Sequence, residues 1–305
     1  MYLPSVVYSF GSAMQEKFGE KLHKLAINAA FSCPNRDGSK GLGGCTFCNN
    51  VSFSPSARRP PTIVTQIDAG KAVIRKRTGA RKYLAYFQAY TNTYADVQLL
   101  KRSYDAALAQ EDVIGISVGT RPDCVPEPVL ALLADYQQQG FEVWLELGLQ
   151  SIFDETLQRV NRGHSFADYS DAVRRAKKYA LQICTHLIVG LPGESAAMSL
   201  RSHEVVVAMG VDGLKLHPLH VVKGTRLATQ WRNGEYEPLT QDAYVELATE
   251  MIRHTPADIV YHRLTGTAAE QVLLAPRWCQ HKWAVLNAIH DRLQQDNAYQ
   301  GCACA

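Results

Sequence analysis

VIGISVGTRPDCVPEPVLALLADYQQQGFEVWLELGLQ, residues 113–150, holds one complete turn of a repeating unit. Val113–Val118 is an apolar run of strand length, and Pro128–Gln139 spaces its apolar residues at helical intervals. Gly140 stands where a helix is expected to end, and Glu142–Leu147 is a second apolar run. A buried strand, a helix and another buried strand in that order read as two parallel strands joined by a right-handed crossover. The rhythm continues in both directions. Strands are expected at Lys24–Ala29, Lys82–Phe87, Gln182–Val189 and Gly213–Leu219, and helices at Thr62–Arg77, Asp96–Ala109, Phe166–Tyr179 and Ala196–Met209. Ser165, followed three residues later by Asp168, reads as the cap of the helix at 166, and Gly210 repeats the role of Gly140. Six such units predict an α/β chain with a parallel sheet, either open and doubly wound or curled into a barrel.

Near residue 225 the rhythm stops. Helical spacing returns at Thr240–His254 and Trp278–Gln295, with a short strand candidate at Asp258–Arg263. The expected division is a core over 1–225 and a small subdomain over 226–305. With 305 residues, 46% of them hydrophobic, the chain is long enough for a sizeable core. Ordinary glycine and proline counts exclude collagen-like and disordered classes. No apolar run is long enough to span a bilayer and no signal-peptide pattern opens the sequence, so no membrane partner and a cytoplasmic location are expected. The net charge of +3 is uneven: residues 1–82 hold 13 Lys and Arg against 4 Asp and Glu, a surplus of nine. Such a surplus reads either as a footprint for a polyanion or as solvated helix faces, as in Lys71–Lys82.

Eight cysteines in an intracellular chain argue for metal or redox chemistry over disulfides. Only the first three, Cys33, Cys45 and Cys48, form a compact cluster, on a glycine-rich loop directly after the first expected strand. Three thiolates there can ligate three irons of a cubane cluster and leave the fourth iron open. A structural zinc site needs a fourth protein ligand, for which Cys124 or His23 would have to come from afar. Three unligated cysteines are a further reading. Cys184, Cys279, Cys302 and Cys304 read as packing or tail residues.

The segments Cys33-Pro34-Asn35-Arg36-Asp37-Gly38 and Gly44-Cys45-Thr46-Phe47-Cys48 resemble the cysteine loop of radical S-adenosylmethionine (SAM) enzymes of the YhcC/YtqA type, whose first gap is long. The likeness continues in Arg263-Leu264-Thr265-Gly266 and Ala275-Pro276-Arg277-Trp278, and later segments are similar to the Elongator catalytic subunit and to oxygen-independent coproporphyrinogen oxidases. The resemblance implies a partial (β/α)6 TIM-like barrel with a small C-terminal α/β extension. It implies a [4Fe-4S] cluster on Cys33, Cys45 and Cys48, and SAM as second cofactor. Gln88 and Ala89 then fall where the family's backbone meets the amino end of SAM. Gln150 falls on its ribose, and Arg162, twelve residues on, meets its carboxylate. Ile188 and His217 fall on the adenine side. No role transfers to His186, and none is assigned to Cys302 or Cys304.

The activity implied is reductive cleavage of SAM to methionine and a 5′-deoxyadenosyl radical, with electrons from a donor such as flavodoxin or ferredoxin. The expected substrate is tRNA at a wobble uridine, engaged partly through the basic surface of residues 1–82, including Arg58 and Arg59. A small metabolite or porphyrin is the alternative. A zinc-stabilised RNA-binding protein without catalysis is a third reading, which leaves Gln150 and Arg162 unexplained. Anaerobically reconstituted protein should carry about four irons. Alanine at Cys33, Cys45 or Cys48 should abolish SAM cleavage, and alanine at Cys279 or Cys304 should leave it; full activity in Cys45→Ala would overturn the ligand set.

Overall fold

The computed structural model describes residues 3–49 and 60–304. Its main sheet is parallel throughout. Strands β1 (Leu22–Ile27), β2 (Lys82–Phe87), β3 (Val113–Thr120), β4 (Glu142–Gln150), β5 (Gln182–Val189) and β6 (Gly213–Pro218) lie side by side in chain order, with β8 (Val260–Arg263) added beside β6. The six expected units are present, and the strand candidate in the tail supplies a seventh strand to the same sheet. A two-residue strand, β7 (Val221–Val222), pairs separately with β9 (Leu273–Ala275). The sheet curls into a partial barrel whose edges are β1 and β8.

Crossover helices cover the outer face: α2 (Ile63–Thr78), α3 (Val97–Leu108), α4 (Glu127–Gln138), α6 (Phe166–Lys178) and α7 (Ala196–Ala208). Their ends use the expected chemistry. At α6, Ser165 accepts from the Asp168 amide while the Asp168 carboxylate accepts from the Ser165 amide, a full capping box. At α4, Gly140 takes φ 92° and donates to the Gln137 carbonyl, while Phe141 donates to Tyr136. Further out, α9 (Gln241–Arg253) packs on α7 and on α10 (Lys282–Gln295).

The structure corrects several boundaries. The first strand starts at Leu22, because the alternation that places Lys24 inside the barrel also places Leu22 there. The expected helix from Trp278 is a 3₁₀ turn, Arg277–Gln280, broken at His281 before α10 begins. Three short helices were not anticipated: α1 (Phe10–Phe18), α5 (Asp154–Arg159) and α8 (Arg226–Arg232). Each is too short for several turns of apolar periodicity, although α1 carries local signals in its Ser9 cap and its left-handed Gly19.

Period-two alternation along the strands sorts the barrel interior into three levels. At the strand N-termini Leu22, Leu84, Trp144, Cys184 and Val260 form an apolar floor, sealed by Ala13, Met14 and Phe10 around α1. α1 packs on both edge strands. Two residues along each strand come Lys24, Tyr86, Ser117, Glu146, His186, Lys215 and His262, and this level is polar and charged. Two residues further stand Gln88, Gly119, Gly148, Ile188 and His217, which line a cavity of about 650 Å³ at the strand C-termini, the end at which barrel enzymes place their active sites.

Candidate active site

Cys33, Cys45 and Cys48 all line this cavity. Their loop is held by short-range turns and by one buried amide. Arg36 and Asp37 both donate to the Cys33 carbonyl, and Cys48 donates to that of Cys45. Asn35, fully buried, directs its Nδ2 at the Asn161 carbonyl and, at 3.7 Å, at Cys45 Sγ. It fits only because Gly41 and Gly163 flank it: a Cβ at either would stand 2.6 Å from Asn35 Oδ1. Asn161 Nδ2 returns a hydrogen bond to the Gly44 carbonyl at 2.8 Å, and Thr46 donates to Val160 at 2.9 Å. The cysteine loop is thus clamped to the segment that follows β4.

That segment carries Arg162. Its Nη2 donates to the Gly148 carbonyl at 2.7 Å, its Nη1 lies 3.5 Å from Cys45 Sγ, and its Nε lies 3.0 Å from His164 Nε2. Arg121, buried and paired bidentately with Asp123, holds the Arg162 carbonyl from behind at 2.6 Å. Gln150 ends β4 at φ 81°, a conformation costly for any side chain, where the pairing with β5 shifts register. A Cβ at Gly148 would stand 2.7 Å from Arg162 Nη2 and 2.8 Å from Gln150 Nε2. Glycine there lets both side chains converge on one spot.

Gln88, Ile188 and His217 line the same cavity. Ala89 does not: it is buried behind the wall, while Gln88 and Tyr90 on either side face in. His217 is kept neutral well below its usual range by burial, then by His220 and Arg263. Neither Cys124 nor His23, the distant candidates for a fourth zinc ligand, lines the cavity. Among the described residues, no three His, Cys, Asp or Glu side chains are placed to share one metal ion. Arg58 and Arg59 lie outside the described residues.

A sequence profile described as the Radical SAM superfamily matches residues 33–201, and a Radical_SAM C-terminal domain profile matches 211–295. The chain belongs to the radical SAM superfamily. It is 48% identical to Protein YhcC of Escherichia coli K12 over 303 residues, 99% of this chain and 97% of that one. It is 33% identical to a tRNA uridine(34) acetyltransferase of Dehalococcoides mccartyi over 64% of this chain and 41% of the other. Among solved structures it is similar to the archaeal Methanocaldococcus infernus Elp3, with TM-score 0.67 at 19% identity, covering 92% of this chain and 64% of that chain. These agree with the YhcC/YtqA and Elongator resemblance and with the barrel. The chain is a radical SAM enzyme, of a family that in general works with a [4Fe-4S] cluster and SAM. No helix among the described residues is long and apolar enough to cross a membrane.

One feature of this radical SAM enzyme escaped sequence reading: the ionic level beneath the cavity. Glu146 is fully buried. Its carboxylate accepts from Lys24 Nζ at 2.5 Å, Ser117 Oγ at 2.5 Å and His186 Nε2 at 2.8 Å, and also from Lys215. His262 Nδ1 lies 3.5 Å away. Tyr86 receives Lys215 at 3.0 Å and carries both lysines over its ring, at 5.1 Å and 4.1 Å. Burial alone would raise the Glu146 pKa, but Lys215, Lys24 and the two histidines hold it well below the usual carboxylate range. Burial lowers Lys24 to about 8 despite Glu146. The signal was present as one polar residue at the middle inward position of each apolar-looking strand, and only the register shows that they meet.

Glu146→Gln should destabilise the fold by about 3–5 kcal/mol at neutral pH, because two buried ammonium groups lose their counter-charge. A lysine whose folded pKa is depressed binds fewer protons folded than unfolded, so stability rises with pH between the folded and unfolded values. Without the carboxylate the lysine pKa values fall further and that rise begins lower. Urea unfolding should show the deficit shrinking as pH rises toward 8 and levelling off above it, where the native Lys24 also loses its proton, whereas a pH-independent deficit would mean lost packing only.

Proposed function

We propose that this radical SAM enzyme holds a [4Fe-4S] cluster on Cys33, Cys45 and Cys48, binds SAM between the cluster and Gln150, Arg162, Ile188 and His217, and modifies tRNA at a wobble uridine. The observation that carries the cofactor reading is Arg162: one guanidinium faces a cysteine sulfur and the Gln150 end of β4 at once. The donor set fits a cluster. Three thiols face one cavity, and N–H groups of Asn35 and Arg162 point at Cys45 Sγ, which stabilises a negatively charged sulfur. Burial and then the neighbouring Cys45 push the Cys48 thiol up to about 12, so loading a cluster there releases protons. The cavity wall also fits a polar ligand. Thr91 Oγ1, Thr265 Oγ1 and His220 Nε2 are buried in it with no partner among the described residues, and buried polar atoms of that kind are normally satisfied.

When bound, the cluster and SAM supply a reducing electron and the carbon–sulfur bond whose cleavage yields a 5′-deoxyadenosyl radical. The protein's residues bind, orient and exclude water. Arg162 offers a fork that pairs bidentately with a carboxylate, and Gln150 offers an amide able to bridge two hydroxyls. Gln88, at the end of β2, offers polar groups to an ammonium. A low-potential one-electron donor such as flavodoxin or ferredoxin would serve the cluster. Support for tRNA comes from the acetyltransferase relative, whose activity on tRNA uridine(34) belongs to a longer protein, and from the basic surplus of residues 1–82.

Arg162→Ala should weaken SAM binding by about 1.5–3 kcal/mol, the scale of a charge-assisted hydrogen bond, as read by calorimetry on reconstituted protein; unaltered affinity would remove Arg162 from the cofactor site. Mass spectrometry of tRNA nucleosides should show a wobble-uridine modification missing in a deletion strain and restored by the intact gene but not by the Cys45→Ala form. An unchanged nucleoside profile would move the substrate to a small metabolite or porphyrin.

A further inference from the structure

Trp283, in the first turn of α10, is 73% exposed, although folding normally covers most of so large an apolar ring. Lys282 beside it lines the cavity and holds its Nζ 5.6 Å from the indole centroid. The indole therefore stands beside a residue of the cavity wall. Arg263 lines the same cavity. Burial and then Arg263 and Arg77 depress the Lys282 pKa, while burial and then Arg77, Lys21 and Lys282 depress that of His23, so these cations feel one another directly. Lys21, Arg77, Arg263 and Lys282 are all exposed, and among the described residues none of them makes an ion pair. Four like charges gathered without a counter-charge repel one another. A polyanion relieves that repulsion, and a flat exposed ring inside the same field suits an unstacked base.

We propose that Trp283 and the cations Lys21, Arg77, Arg263 and Lys282 form an entry track for single-stranded RNA. The cations neutralise backbone phosphates, and Trp283 stacks one base of a loop whose neighbour is delivered into the cavity. The inference rests on the tRNA reading of this site and specifies how the loop is presented. It also gives the basic N-terminal surplus a place: Lys21 and Arg77 belong to the track. Single-stranded loops suit it, because their bases are free to splay onto an aromatic ring, whereas duplex bases are stacked away.

The test uses the full chain and three synthetic RNAs: a stem-loop, the same stem with an abasic loop, and a blunt duplex. Binding is read by fluorescence anisotropy across a salt series, alongside quenching of tryptophan emission. Trp283→Ala should weaken stem-loop binding roughly tenfold, leave the abasic stem-loop unchanged and remove the RNA-dependent quenching, and Trp283→Phe should retain most of the affinity. Arg77→Gln with Lys282→Gln should flatten the log–log salt slope by roughly 0.7 for each cation removed. An unchanged Tm in each variant shows that the fold is intact. Stem-loop binding that Trp283→Ala leaves unaltered, or an equal loss on the abasic loop, overturns the track and leaves the tRNA substrate standing. Native protein that binds none of the three RNAs overturns both.

Discussion

The partial barrel depends on one buried carboxylate. A closed barrel joins its first and last strands by backbone hydrogen bonds, which remove both edges. Here β1 and β8 remain edges, and what spans the interior instead is charge. Glu146 on β4, at the middle of the curl, is reached by Lys24 from one edge strand, by His262 from the other, and by His186 and Lys215 between. Attraction in a low-dielectric interior is strong, but so is the cost of desolvating each ion, so such a network holds only where every member is satisfied. Ser117 and Tyr86 complete it. The apolar floor below seals this level from water on one side.

The same network shapes the chamber above it. Two lysines against one carboxylate leave the cavity floor with an excess of positive charge, and burial keeps His186 and His217 neutral. A negatively charged group in the cavity would meet this excess at its base, where Lys215 lines the wall. Charge of one sign lining a low-dielectric cleft focuses the field in this way.

Above the strands, rigidity comes from a clamp between two distant parts of the chain. Asn35, Gly44 and Thr46 on the cysteine loop meet Val160 and Asn161 after β4, and Arg121 braces Arg162 from a third loop. Left-handed backbone at Ala30, Tyr90, Gln150 and Asn161, none of them glycine, gathers around this clamp. Strain of that kind persists only where surrounding contacts over-determine the geometry, and it concentrates where side chains must be aimed.

The sequence by itself determined the repeating strand–helix order, the capped ends of α4 and α6, and the thiol trio, because each follows from local periodicity or spacing within a few residues. Gln150 and Arg162 were legible as a pair only through the resemblance to the family, which sets the two residues twelve positions apart. Only the tertiary structure decided that Asn35 and Arg162 both face Cys45 Sγ, that Ala89 turns away from the cavity, and that the tail's short strand joins the main sheet. It alone assembled the ionic level as well, since Lys24, Glu146, Lys215 and His262 come from four strands and read singly as polar interruptions in apolar runs. Local pattern fixes which way a side chain points from its own strand. Which charge it meets is fixed by parallel register and sheet curl, and these depend on contacts between residues more than a hundred positions apart.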